Sequence, residues 1–180
     1  MNMQVKNEYL KRLMSLQLME TEHLLFVSLK QQRMYHQKEG KTVKTYVISS
    51  SLNPPSCKHN SLGTPWGVHL VGEIIGVGQP KGMVFKGRLP INRCYWDCDA
   101  EMNMQNLITS RILRLVGLEA GLNQGPGVDS YERYIYIHGT NKESKLGSPA
   151  SSGCIQVSNV DAINLASEIP QGSHVYISLS

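Results

Sequence analysis

A chain of 180 residues with 41% hydrophobic content is long enough for one buried core and gives no reason to expect two. Its net charge of +4, from 18 Lys and Arg against 14 Asp and Glu, is mild, and the positive residues are scattered. No basic cluster with interleaved aromatics points to nucleic acid, and no apolar run approaches a membrane span, so neither nucleic-acid binding nor stable membrane insertion is expected.

Residues 1–22 read as an N-terminal amphipathic helix, with Val5, Leu10, Leu13, Met14, Leu16 and Leu18 set among Lys6, Glu8, Lys11, Arg12, Gln17 and Glu20. A secretory signal needs an uninterrupted apolar stretch, so a cytoplasmic location is the expectation. Residues 23–180 are expected to form one domain. Within it, 24–30 and 42–48 have strand composition, and the polar stretch 37–41 with Gly40 reads as the turn of a hairpin joining them. Residues 49–65 read as loop, because Ser49-Ser50-Ser51, Asn53-Pro54-Pro55 and Gly63-Thr64-Pro65 leave little room for regular structure.

Between Gly63 and Gly127 lie 11 of the 16 glycines, which fits short strands joined by tight turns. Residues 66–75 and 108–116 are the strand candidates there. The second also satisfies helical spacing through Leu107, Ile108, Ile112, Leu115 and Val116, and strand is the preferred reading. Residues 117–127 read as loop. Tyr134-Ile135-Tyr136-Ile137-His138 has strand composition, and 139–152 is a polar loop. The short apolar run Cys154-Ile155-Gln156-Val157 follows. Ser158 with Asp161 marks a helix start, and Pro170 ends that helix. A last strand runs through Val175, Ile177 and Leu179. The sum is mostly β with two short helices.

Cys57, Cys94, Cys98 and Cys154 do not have the spacing of a disulfide scaffold. Cys94 and Cys98 are four apart, a gap found in some zinc sites, but no second pair or nearby His completes a set, and ordinary thiols are the simpler reading. His69, His174, Trp66 and Tyr136 read as structural or core residues. Arg133 and Lys142 flank the segment described next and read as solvated charges.

That segment is His138-Gly139-Thr140-Asn141, a loop, then Ser151-Ser152-Gly153-Cys154-Ile155. A cysteine becomes a useful nucleophile when an adjacent imidazole takes its proton. Pairing of the strands that carry His138 and Cys154 would bring the two groups together. Gly153 allows a tight turn before Cys154, so that the Gly153 and Cys154 amides could face an oxyanion. A lone Cys is more often a small core residue, and a lone His a satisfied one; the pairing and the flanking glycines carry the signal.

The segment resembles the signature of the L,D-transpeptidase (YkuD-type) catalytic domain: a His, about fifteen residues, then Ser/Thr-x-Gly-Cys-apolar-Arg/Asn. Here those are His138 and Ser151-x-Gly153-Cys154-Ile155. Gly147-Ser148-Pro149-Ala150, Ser158-Asn159-Val160-Asp161, Ile169-Pro170-Gln171-Gly172 and Gly63-Thr64-Pro65-Trp66-Gly67 are also similar to the family. The resemblance implies a mostly β fold, a β-sandwich or barrel-like catalytic domain with short peripheral helices. It implies a cysteine enzyme acting on the amide between an L-centre and D-alanine in murein tetrapeptide stems, with peptidoglycan stem peptides or muropeptides as partners and no metal or organic cofactor.

Carried over by position, the resemblance makes Cys154 the nucleophile and His138 the base. The Gly139 carbonyl orients the imidazole, Gly153 contributes to the oxyanion site, and Ser151 braces the loop. Ser152, Gln156 and Tyr136 are candidates for substrate contact. Two positions depart from the pattern: Ser152 stands where His is common, and neutral Gln156 where Arg or Asn is usual. Three readings stay open: an L,D-carboxypeptidase on soluble muropeptides, which the expected location favours; an L,D-transpeptidase making 3→3 cross-links; and a non-catalytic murein-binding module. The sequence does not speak to oligomeric state.

Overall fold

The computed structural model describes residues 3–180. Helix α1 (Met3–Ser15) is followed by strands β1 (His23–Ser28), β2 (Arg33–Lys38), β3 (Lys41–Val47) and β4 (Gly67–Ile75). Then come β5 (Met83–Lys86), β6 (Leu89–Cys94), a short helix α2 (Ala100–Met104) and the long β7 (Ile108–Gly117). The chain closes with β8 (Tyr136–Thr140), β9 (Ile155–Val157), α3 (Asn159–Glu168) and β10 (His174–Ser178). The strands form one sheet in the order β3-β2-β1-β10-β4-β7-β5-β6, with β8 on the free side of β7 and β9 on β8. The fold is mostly β, and the sheet does not close on itself. The β1–β10 and β8–β9 pairs are parallel; the other pairs are antiparallel.

The branching of the sheet has a local cause. Strand β7 carries a bulge at Ser110-Arg111, where Thr109 pairs with Gly139 and Ile112 with His138. Ser110 takes a left-handed φ of 63°, which bends the strand. Its first residues then pair with β5 and its last with β4. The inner face packs Leu113, Leu115, Ile137, Ile155 and Val157 against Leu165 of α3 and Val27 and Val175 of the neighbouring strands, all fully buried. Each such side chain contributes about 1.5–3 kcal/mol of apolar burial. Helix α1 covers a second cluster, seating Val5, Tyr9 and Leu13 on Leu24, Phe26, Val68 and Tyr176. The Tyr9 hydroxyl lies 2.8 Å from His174 Nδ1, tying the helix to β10.

Three parts of the fold differ from the sequence expectation. The hairpin expected between 24–30 and 42–48 contains a further strand, β2, and only the Glu39-Gly40 turn lies where the polar stretch placed it. The extra turn, residues 29–32, has no Gly or Pro. Gln32 adopts φ 51°, and its buried amide donates to the Leu29 carbonyl at 2.6 Å and accepts from Ser50 N at 2.8 Å. A side chain supplies what turn residues usually do. The β5–β6 hairpin was not resolved from its composition. The third helix, α2, is five residues long and rests on Asp99 accepting from Met102 N at 2.7 Å. The cap expected at Ser158 is present: its hydroxyl accepts from Asp161 N at 3.0 Å and opens α3.

Buried histidines fix a pH dependence. His69 donates from Nδ1 to the Gly67 carbonyl at 3.1 Å, which leaves Nε2 to accept from Ser130 Oγ at 2.9 Å. Burial holds both His69 and His138 down to about 4. The unfolded chain therefore binds more protons than the folded one between that value and the ordinary histidine pKa of about 6.5. Stability is full above about pH 6.5 and falls as pH drops toward about 4. Melting measured across that window should fall by several degrees, since each kcal/mol moves the midpoint of a chain this size by roughly 2–4 °C. A constant midpoint would contradict neutral burial of the two rings.

Candidate active site

The parallel pairing of β8 with β9 sets Ile137 opposite Ile155, His138 opposite Gln156 and Gly139 opposite Val157. Side chains alternate along a strand, so Ile137 and Ile155 enter the core while His138 and Gln156 share the other face. Cys154, two residues before Gln156, and Tyr136, two before His138, fall on that same face. Tyr136 joins Ile112, Met83 and Phe85 in a small cluster against which Cys154 packs. A cavity of about 180 Å³ opens here, lined by His138, Cys154, Gln156, Ser151, Ser152, Asn106 and Ile108. The structure thus brings His138, Cys154, Ser151, Ser152 and Gln156 to one cavity and sets Tyr136 beside it.

His138 is buried, and its Nδ1 lies 2.7 Å from the Gly139 carbonyl. A carbonyl only accepts, so Nδ1 carries the proton and Nε2 keeps its lone pair. Burial holds the ring's pKa to about 4, against the partial pull of the Gly139 carbonyl. The half-buried Cys154 thiol donates to the Tyr134 carbonyl at 3.4 Å rather than to His138. Burial pushes it up to about 11, opposed by the Tyr136 backbone and the Arg133 guanidinium. Burial thus favours the neutral form of each group, the thiol and the imidazole alike. Contacts between nucleophile and base are often loose until substrate arrives.

The cysteine turn is built around Ser151. Its hydroxyl donates to the Cys154 carbonyl at 2.5 Å, and its amide donates to the Ser50 carbonyl at 2.9 Å. Gly153 sits at φ 123°, where a side chain would be strained. Its amide donates to Ser151 Oγ at 3.3 Å, so the oxyanion donor expected at Gly153 is already engaged, through a contact at the weak end of the range. Gln156 is buried at 2% exposure; its backbone pairs with Ser49 in both directions, and the residue lines the cavity.

Sequence reasoning passed over or misread several residues that shape this site. Asn159 is the hub: Thr109 and Ser110 hydroxyls donate to its Oδ1 at 2.6 Å each, and its Nδ2 donates to the Thr140 carbonyl and Glu143 Oε1. It binds the β7 bulge to the end of β8. Arg133 is no solvated charge; it donates to the Ser56 and Gly63 carbonyls at 3.0 and 2.7 Å and pins the 56–63 loop beside the site. Arg114, paired with Glu73 at 3.1 Å, stacks on Tyr131. Only the residue types could have drawn attention to these positions, because their partners come from other elements of the chain. Among the described residues, no group of three or more His, Cys, Asp or Glu is arranged to hold a metal ion, and no helix is long and apolar enough to cross a membrane.

The domain is mostly β, with His138 on β8 and Cys154 immediately before the parallel strand β9. Comparison with known proteins gives the family. The L,D-transpeptidase catalytic domain (YkuD) matches residues 22–177, and the chain belongs to that family. The YkuD protein of Bacillus subtilis (strain 168) is 48% identical over 46 residues, 26% of this chain and 28% of that protein. L,D-transpeptidase 3 from Mycobacterium tuberculosis, solved in complex with a faropenem-derived adduct, has a similar fold: TM-score 0.53, 15% identity, covering 87% of this chain and 60% of that one. The L,D-transpeptidase from Xylanimonas cellulosilytica gives a TM-score of 0.51 at 19% identity, with 89% and 62% covered. The chain therefore spans less than two thirds of the length of these relatives.

Two measurements test the site. Alkylation of Cys154 by iodoacetamide, followed by peptide mass spectrometry, should rise steadily from about pH 7 to about pH 10, with no plateau between about pH 5 and about pH 8. A fast, flat rate over that lower range would show a resting ion pair. A Cβ at Gly139 would lie 2.7 Å from the Thr109 carbonyl oxygen and 3.0 Å from Asn159 Oδ1. Gly139→Ala should accordingly cost about 1–3 kcal/mol in denaturant unfolding, the usual range for overpacking. Unchanged stability would mean that the β7–β8 contact is looser than described.

Proposed function

We propose that this chain is a cysteine acyltransferase acting on the amide between an L-centre and the terminal D-residue of murein stem peptides. The observation that carries the reading is the placement of Cys154 and His138 on one face of the β8–β9 pair, opening on one cavity. His138 Nε2 takes the thiol proton as Sγ bonds to the scissile carbonyl carbon. The Cys154 amide is the donor proposed for the developing oxyanion. As the tetrahedral species collapses, the C–N bond breaks, His138 returns its proton to the leaving amine, and a thioester remains on Cys154. The neutral resting pair suits this sequence, since a base with a free lone pair and a protonated nucleophile are its starting states.

Deacylation needs an acceptor. With water, His138 deprotonates it, the thioester C–S bond breaks and the thiol is restored; the chain is then an L,D-carboxypeptidase, the favoured reading. A second groove of about 290 Å³ supports an amine acceptor and hence transpeptidation. It is lined by His59, Leu62, Glu132, Arg133, Tyr134 and Ser152, and so meets the catalytic loop at Ser152.

Incubation with a soluble tetrapeptide muropeptide, with and without D-methionine, followed by mass spectrometry, separates these outcomes. Tripeptide alone supports hydrolysis; D-methionine exchange or cross-linked dimer supports the amine acceptor. Cys154→Ala should abolish turnover, and His138→Ala should lower it by about two to four orders of magnitude. No turnover by the wild-type chain, or turnover by Cys154→Ala, overturns the proposal.

A further inference from the structure

The tip of the β5–β6 hairpin is the two-residue turn Gly87-Arg88, between the paired Lys86 and Leu89. Both turn residues have positive φ, 53° and 70°, as in the type I′ turn that suits the twist of a tight hairpin. Asn, Asp and Gly favour such positions, because a longer side chain crowds the backbone in the left-handed region. An arginine there is a costly choice, and its side chain shows what it does. Nη1 donates to the Tyr136 hydroxyl at 3.4 Å, and the guanidinium lies over the Tyr134 ring, 5.1 Å from its centroid.

These two tyrosines flank the nucleophile. The Tyr134 carbonyl accepts from the Cys154 thiol, and Tyr136 belongs to the cluster against which Cys154 packs. Among the described residues, Arg88 forms no ion pair. The one carboxylate that influences it, Glu73, is already held by Arg114 at 3.1 Å. Among the described residues, the Arg88 fork makes no side-chain hydrogen bond beyond that to Tyr136, and it sits against the tyrosines that flank Cys154. Gln156, by contrast, stands where the related pattern carries Arg or Asn and brings no charge to the cavity.

We propose that Arg88 is a specificity-determining residue that receives a free carboxylate of the donor stem peptide. The inference rests on the acyl-transfer reading above. A terminal carboxylate lies one residue beyond the attacked centre, a Cα spacing of about 3.8 Å, so its partner belongs on the groups that border the thiol. The contact over the Tyr134 ring and the bond to the Tyr136 hydroxyl hold the fork here, and a carboxylate is its natural bidentate partner. Two carboxylates have this chemistry: the α-carboxylate of the leaving D-residue, and a side-chain carboxylate at the third residue of the stem.

The test compares three tetrapeptides: the free acid, its C-terminal amide, and the acid amidated at the third residue's side chain. Each is assayed with wild type, Arg88→Lys and Arg88→Asn. Asn is at home in a type I′ turn, so the last variant keeps the hairpin, and a melting curve checks it. For wild type, one of the two amides should raise KM about tenfold, the scale of a lost charge-assisted hydrogen bond, and which one identifies the carboxylate. Arg88→Asn should raise KM for the free acid to match that amide while leaving kcat within about threefold, and Arg88→Lys should recover part of the loss. An unchanged KM in Arg88→Asn, or an equal rise for all three substrates, overturns the inference and leaves the acyl-transfer reading standing. A wild-type chain that turns over none of the three overturns that reading, and the role of Arg88 with it.

Discussion

The parallel pairing of β8 with β9 fixes everything else about the site, and it is itself fixed from two sides. On one face Ile137, Ile155 and Val157 are locked into the main core, so a slip of one residue would turn apolar side chains outward. At the far end, Gly139 lies too close to Thr109 and Asn159 to carry any side chain. The Asn159 amide then joins Thr109, Ser110, Thr140 and Glu143 into one network. The register that results aligns Tyr136, His138, Cys154 and Gln156 on one face. The core sets the register, and the register makes the site.

Burial also sets the electrostatics of the pair. The same packing that holds His138 rigid strips it of water and lowers its affinity for a proton, and it raises the thiol's. Burial disfavours a preformed ion pair, and the proposed mechanism calls on a correctly oriented neutral base. That orientation comes from a backbone carbonyl rather than from a carboxylate, since Nδ1 donates to Gly139. In the proposed reaction the nucleophile is activated only as charge develops next to backbone donors, while burial favours the protonated resting thiol.

Much of this was legible in the sequence because the signals were local. The alternation of Tyr136, Ile137 and His138, the Ser158–Asp161 cap and the glycine before Cys154 each act within a few residues. The fold class followed from strand composition and glycine spacing together with the family signature. What stayed hidden depends on distant partners. Strand β2 was missed because its turn is held by the Gln32 amide reaching Ser50. Arg133 read as solvated because its acceptors, the Ser56 and Gly63 carbonyls, come from another loop. Gly153 is the exception: its partner, Ser151 Oγ, lies only two residues away, but residue types alone do not show that the hydroxyl turns back onto the amide.

The central claim is that Cys154, deprotonated by His138, carries the acyl group. Its most direct measurement is the intact mass of the wild-type chain, acid-quenched during turnover of a murein tetrapeptide, with the modified residue located by peptide mapping. The account predicts an adduct of the stem lacking its terminal D-residue, carried as a thioester on Cys154. Such an adduct should be absent from Cys154→Ala and strongly reduced in His138→Ala. Turnover proceeding with no adduct, or with the adduct on Cys57, Cys94 or Cys98, would contradict it.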